Sequence, residues 1–463
     1  MTRSLQDLID TAGGVVNYAR SHKYSRDDVR EDVFPVLTVP ALPQEFSTWE
    51  REGMGYRESV TMFDQSHHMT GLHVHGPDAQ KFLGQMSCNR LYLSDANSAS
   101  QLLCVNEDGY LIGDGIAFHD EDHSFRLYAG TCVNWICYHA EQSGLDVSVT
   151  RDDRSPGYPN GRAFKRPKCR YQLQGPLAPA LIRKLAGIDV DELPRFKTTR
   201  LTIAGHECGG LRHGMAGAAG LEIWGDWDAR DEIRNAIIAA GREFDLRLAG
   251  TMSYLVTSLE SGWFKGPLPA IFSRNMAAYR NWLPGNYREG MSRLSGSAAF
   301  DAIEDYYLTP FDLGFNRLLD LDHECMGREA LLDMKDKPSR KKVTLQWNPE
   351  DVAGLLVKML TPDAPEVRAL HLPSVTDKID WNFDTVTRNG KSVGLSTYQG
   401  YCIGERSVLS QSFVASDLEY GDEVVVHWGE AGGGFDGAMV PPTEIHPIRA
   451  IVSPAMPFKR VNP

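Results

Sequence analysis

The sequence predicts an α+β core followed by a C-terminal all-β domain. Three observations carry that prediction. A plan of short alternating strand, Gly-Pro and amphipathic helix occurs twice, in HVHGPDAQKFL (73–83) and YQLQGPLAPALIRKL (171–185). A helical stripe lies at 228–244, where Ile233, Ala236, Ile237 and Ala240 recur at i, i+3, i+4 and i+7. Beyond Lys335 the charged tract DKPSRKKVTLQW gives way to short strands and Gly turns (SVGLSTYQGY, RSVLSQSFV, GDEVVVHWG, IRAIVS), the pattern of a small β-barrel or sandwich.

Taken in order, Ser4 to Ala19 reads as a helix, and the Pro-punctuated stretch DVFPVLTVPALPQEFSTW that follows cannot continue it. Residues 1–45 are therefore expected to form an N-terminal helix and an arm over a domain. In both Gly-Pro units the proline is expected just inside the helix start, where a missing N–H costs nothing. Gly187 supplies a C-terminal stop for the second helix. Two such units about a hundred residues apart suggest related subdomains rather than a solenoid, whose period would be roughly 20 to 50 residues. Between them, LLCVNEDGYLIGDGIAFH reads as a hairpin turning at Asp108-Gly109, SFRLYAG as a further strand, and NWICYHAEQ as a helix. Residues 46–335 are read as the α+β core, in two lobes, and 336–463 as the β domain.

The 463 residues suffice for a large core. A composition of 42% hydrophobic and 24% charged residues excludes disordered and collagen-like classes. No apolar run approaches the roughly 20 residues of a membrane span, and Asp7 and Asp10 interrupt the start where a secretory signal would be apolar. The cytoplasm is the expected compartment, with no membrane partner. A net charge of −13 argues against nucleic acid, while leaving room for a local basic pocket for a small anion. Eight cysteines without a C-x-x-C pair read as reduced, mostly buried thiols.

Three clusters bear on chemistry. FDQSHHMTGLHVHG holds four histidines, and His73 and His75 share a strand face. A metal-dependent hydrolase would use such a pair, but no H-E-x-x-H or further ligand pair accompanies it, so surface or satisfied core histidines are the default. RHGMAGAAGLEIWG (212–225) joins a Gly/Ala-rich turn to a strand bearing Glu222, which lets backbone approach a flat ligand; the bland reading is a tight turn and an exposed carboxylate. It is neither a dinucleotide fingerprint nor a P-loop. SYLVTSLESGW (253–263) groups Tyr254, Glu260 and Trp263. Such aromatics usually serve the core, yet a phenol of pKa near 10 can exchange a proton with an oxygen of similar basicity, such as another phenol.

In order along the chain, GPDAQKFL, NEDGYLIGDG, QLQGP, RHGMAGAAGLEIWG, LESGW, DYYLTPFDLGF and MGREAL resemble the folate-binding aminomethyltransferase family, that of the glycine cleavage T-protein. FDQSHHM, GDGI, DDRSP, LESGW with PLPAI, NWLP, IEDYY and RKKVTL are similar to its branch of tetrahydrofolate-dependent aryl O-demethylases, of the syringate and vanillate/3-O-methylgallate kinds. The resemblance implies a three-lobed folate-binding core with a C-terminal β-barrel, tetrahydrofolate as cofactor, no metal, and transfer of a methyl group from a small aromatic methyl ether to N5 of the folate. It also implies site roles. Glu222 would hold the pterin ring through its N–H donors, Gln172 would make a second polar contact, and Trp263 would wall the cofactor channel. Tyr254 would be catalytic, with Gln65 and His68 on the substrate side. Asp114 matches only part of the family's acidic motif, since Gly-Asp stands for Asp-Asp.

Removing the methyl group leaves a phenolate, a poor leaving group unless hydrogen-bonded as charge develops. Tyr254 is suited to supply that bond, while His68 and Gln65 orient the ring oxygens. The vanillate-type arginine that holds the substrate carboxylate is replaced by Ala129, and a tyrosine of its arm by Phe34. The carboxylate is then left to another base, His68, Arg126 or Arg212. Syringate is the favoured donor. Vanillate, 3-O-methylgallate and a methylenedioxyphenyl lignan are the alternatives.

Overall fold

The computed structural model describes residues 3–21, 42–93, 96, 98–152, 165–214, 220–264, 266–287, 289, 293–337, 340–373, 380–434 and 442–455. The N-terminal helix is two helices, Leu5–Thr11 and Val15–Ser21. The break falls at Gly13 and Gly14, both at positive φ, a conformation that glycine adopts without steric penalty. Ser4 and Asp7 close a capping box on the first. Leu5, Leu8, Ile9, Tyr18 and Ala19 are buried in the largest apolar cluster, so these helices are part of the core they cover.

Two large sheets, a two-stranded one of Arg293–Ser295 and Asp380–Asn382, and a barrel follow. The first sheet has five strands in the order Ser98–Val105, Leu111–Glu121, Ser124–Ala129, Thr70–His75 and Ser148–Arg151. Its first hairpin turns at Asp108-Gly109 as the sequence predicts: Gly109 has φ 78°, and Oδ1 of Asn106 accepts from the Asp108 and Tyr110 N–H groups. The second sheet has six strands in the order Leu246–Ala249, Val60–Asp64, Lys168–Gln174, Gly220–Asp226, His206–Leu211 and Thr198–Ile203. Six C-terminal strands, from Arg340–Trp347 to His446–Ser453, close into a barrel, which decides between the barrel and the sandwich.

The two Gly-Pro units take the same shape at one end of the first sheet and in the second. Gly76 and Gly175 have φ of 135° and 134°, and a Cβ on either would stand 2.4 Å from a backbone carbonyl oxygen, of Asp146 and Ser59 respectively. The second helix does carry a proline just inside its start, Pro179, but the prolines of the Gly-Pro pairs lie before both helices. Pro77 and Pro176 precede the N-caps Asp78 and Leu177 of Ala79–Met86 and Ala178–Ala186, because the glycine's positive φ must be followed by a turn before helical geometry begins. Gly187 at φ 70° ends the second helix as expected. Gly175→Ala is expected to destabilise the fold by at least about 1–3 kcal/mol through backbone strain alone, with the carbonyl clash in addition. Urea unfolding of the variant checks this, and an unchanged midpoint would contradict it.

The second sheet is two-faced, and alternation along its strands explains why. Val60, Met62, Cys169, Tyr171, Leu173, Leu221 and Ile223 point to one side and pack on Leu181, Ile182, Ile233 and Ile237 of the helices Ala178–Ala186 and Arg230–Gly241. The opposite side carries Thr61, Phe63, Arg170, Gln172, Gln174, Glu222 and Trp224. Of these Trp224 is half-buried and the rest are buried. A buried sheet face this polar is unusual for a structural core.

Candidate active site

Four elements converge on the polar face. Register places Phe63, Gln172 and Glu222 side by side across three neighbouring strands, with Leu211 next beyond Glu222. Glu222 is 2% exposed, which overturns the reading of an exposed strand carboxylate; the Gly/Ala turn at 215–219 lies outside the described residues. Nε and Nη2 of Arg170 both donate to Oε1 of Glu222, at 2.9 and 2.7 Å. Oε2 accepts no hydrogen bond among the described residues. Nε2 of Gln172 donates to the His213 carbonyl at 2.8 Å, while its Oε1 is buried without a partner among the described residues. Nδ1 of His213 is likewise buried and unpaired, and burial lowers that imidazole's pKa.

The helix Thr251–Ser261 lies over this face and brings Tyr254 against Phe63, ring centroids 5.4 Å apart. Its first turn is fixed by the buried Glu52, which accepts from the Gly250 N–H at 2.8 Å and the Ser253 hydroxyl at 3.1 Å. The Tyr254 hydroxyl lies 3.0 Å from Nε2 of His68 and 3.1 Å from Nδ1, and the Gln65 side chain hydrogen-bonds the same oxygen. Burial raises the phenol pKa above its ordinary value, with the Arg170 charge opposing and the Glu222 charge adding. The structure thus brings together Tyr254, His68, Gln65, Glu222 and Gln172.

Trp263 borders the same group, its ring 6.2 Å from that of His68. The barrel holds the segment that carries it: Lys342 donates to the Gly262 carbonyl at 3.0 Å, Gln411 to that of Trp263 at 2.7 Å, and Tyr398 to that of Gly266 at 2.9 Å. Glu260, grouped with Tyr254 by sequence, serves another purpose. It is buried between the Arg57 guanidinium, at 2.9 Å, and the Cys402 thiol, tying the helix Trp49–Glu58 to the barrel. Asp114 accepts from Gln101 at 3.2 Å, and burial raises its pKa against the pull of Lys342.

The candidate bases differ in what they already hold. Arg212 donates to the Val190 and Leu193 carbonyls, so its guanidinium is committed to a loop. Arg126 pairs with Asp120 at 3.0 Å and lies over the rings of Phe118 and Trp224, at 4.8 and 5.0 Å, where the two sheets meet. Its Nε is buried and has no partner among the described residues. Phe34 lies outside the described residues. Ala129 packs in the first core against Gly115, on which a Cβ would stand 2.7 Å from the Ala129 methyl. The four histidines face different surroundings: His67 packs on Trp227, His68 on Tyr254, and His73 and His75 stack on the first sheet. Among the described residues no three His, Cys, Asp or Glu side chains are grouped to hold a metal. No helix among them is long and apolar enough to cross a membrane, and all eight cysteines are free thiols.

Residues 10–265 match the family model described as the GCVT N-terminal domain. The chain belongs to this aminomethyltransferase family, enzymes that use tetrahydrofolate in one-carbon transfer. It is 33% identical to a syringate O-demethylase of Sphingobium sp. (strain NBRC 103272 / SYK-6), over 100% of this chain and 97% of that one. It is 27% identical to a sesamin methylene transferase of Sinomonas sp. (strain No.22), over 78% and 79%. The glycine cleavage system aminomethyltransferase T from Bartonella henselae shares the fold, with a TM-score of 0.58 at 17% identity over 90% of this chain and 91% of that one.

Sequence reasoning missed Arg170. The signal was present, since a residue two before Gln172 on a strand shares its face.

Proposed function

We propose that the chain is a tetrahydrofolate-dependent O-demethylase that takes a methyl group from a lignin-derived methoxy-aromatic acid, with syringate as the donor and 3-O-methylgallate as the product. The observation that carries this reading is the Tyr254 hydroxyl, held by His68 and Gln65 beside a buried face that offers unused acceptors. With it goes a division into an N-terminal helical segment and arm at 1–45, a two-lobed core at 46–335 and a barrel domain at 336–463, in the cytoplasm.

The residues present fit the cofactor. Among the described residues, Oε1 of Gln172 is buried without a partner and Oε2 of Glu222 lies outside the Arg170 ion pair, on paired residues of adjacent strands, and a pterin edge presents N–H donors. Glu222 and Gln172 would hold that edge and Trp263 would flank it. When bound, tetrahydrofolate supplies the N5 amine that accepts the methyl group. The protein's own part is to keep Tyr254 protonated and directed at the ether oxygen. Burial secures the first, since the raised pKa leaves the phenol neutral throughout the physiological range. His68 and Gln65 secure the second. As the carbon–oxygen bond breaks, the phenol hydrogen bond strengthens toward the forming phenolate, which is where such a donor contributes most.

The test is methyl transfer with tetrahydrofolate against syringate, vanillate, 3-O-methylgallate and a methylenedioxyphenyl compound. 5-Methyltetrahydrofolate is expected with syringate at the highest kcat/KM. No methylated folate from any aryl methyl ether would overturn the reading, and methylenetetrahydrofolate from the methylenedioxy compound alone would redirect it.

A further inference from the structure

We propose that Arg170 is the positioning residue that joins the two halves of this site, aiming the carboxylate of Glu222 at the cofactor and holding the turn that carries Gln65 and His68. The inference rests on the functional reading above and adds to it a residue with no role there.

The geometry is specific. A guanidinium and a carboxylate frequently pair bidentately, two donors to two oxygens, which occupies both oxygens. Here both Arg170 donors converge on Oε1, leaving Oε2 outside the ion pair. The fork fixes the position of Oε1. Arg170 is itself fixed from behind, with its Cζ 3.9 Å from the Tyr128 ring centroid, so little freedom remains to the pair.

The backbone of the same residue does a second task. The Arg170 carbonyl accepts from the Gln65 N–H at 2.9 Å, and its own N–H donates to the Ser66 hydroxyl at 3.0 Å. The Gln65 carbonyl in turn accepts from the His68 N–H at 3.1 Å. One residue thereby sets both the side chain that faces the cofactor and the turn whose side chains hold Tyr254. Its charge also reaches the Tyr254 hydroxyl, where it opposes the effect of burial and favours negative charge developing nearby.

The fork and the charge can be separated by experiment, because lysine keeps the charge without the planar fork and methionine keeps neither. Tetrahydrofolate affinity is read under anaerobic conditions by quenching of tryptophan fluorescence without methyl donor, and kcat is read at saturating tetrahydrofolate and syringate. Arg170→Met is expected to raise the tetrahydrofolate Kd about tenfold or more and to lower kcat about 100-fold. Arg170→Lys is expected to raise Kd similarly while keeping kcat within about threefold of wild type. Thermal unfolding is followed for each, and the lysine variant carries the test if the methionine variant does not fold. Affinity and kcat that fall in parallel for both variants, tracking the loss of stability, would overturn the proposal, as would wild-type values for both. Wild-type protein that binds no tetrahydrofolate would instead sink the functional reading on which it rests.

Discussion

Tyr254→Phe is expected to lower turnover about 100- to 1,000-fold and to leave tetrahydrofolate affinity unchanged. The substitution keeps the ring, so the edge contact with Phe63 at 5.4 Å and the packing against His68 survive. Only the hydroxyl goes, together with its bonds to His68 and Gln65. Since the groups assigned to the pterin, Glu222 and Gln172, lie on the sheet beneath, cofactor binding has no reason to change. An interaction made mainly in the transition state should appear in kcat and kcat/KM alike, with little effect on KM for the methyl donor. Single-turnover kinetics beside a tetrahydrofolate titration checks both halves. Turnover retained within about threefold would remove Tyr254 from the reaction, and a matching loss of affinity would make it a cofactor contact.

Elements written by local rules were legible in the sequence. Alternation and turn chemistry disclosed the hairpin at Asp108-Gly109, the two Gly-Pro units, the stop at Gly187 and the β-rich C-terminal region. Where a local rule had two readings, tertiary structure decided: two glycines broke the first helix, and the Gly-Pro prolines fell in turns before their helices. The site divides the same way. Tyr254, His68, Gln65, Glu222 and Gln172 were named through resemblance, and they come together only because register aligns Gln172 with Glu222 and the helix Thr251–Ser261 crosses above them. Spacing alone could not tell that Glu260, six residues from Tyr254, faces away to Arg57 and Cys402. Nor could it tell that Arg212 is committed to two loop carbonyls while Arg126, between the sheets, keeps a buried donor with no partner among the described residues. Those differences depend on which neighbours the fold supplies, and neighbours distant in sequence leave no local mark.

Glu222→Gln carries the second large expectation, and its argument turns on which oxygen is lost. Arg170 needs an acceptor, so the amide oxygen of the variant is drawn to the position of Oε1, and the NH₂ group replaces Oε2. A donor would then face the pterin N–H donors, which is worse than an empty position because both groups are desolvated and neither is paired. Tetrahydrofolate affinity should fall about 100-fold or more, since a charge-assisted hydrogen bond is replaced by a repulsive contact. Stability should fall as well, because the buried guanidinium keeps an acceptor but loses its counter-charge. Removing one partner of a buried ion pair outright costs about 3–5 kcal/mol, and the retained amide oxygen should hold the loss below that range. Anaerobic tetrahydrofolate titration and thermal unfolding of the same preparation separate the two effects. If affinity holds within about twofold while the unfolding temperature drops, Glu222 is only the counter-ion of Arg170, and the buried polar face must bind its ligand through other groups.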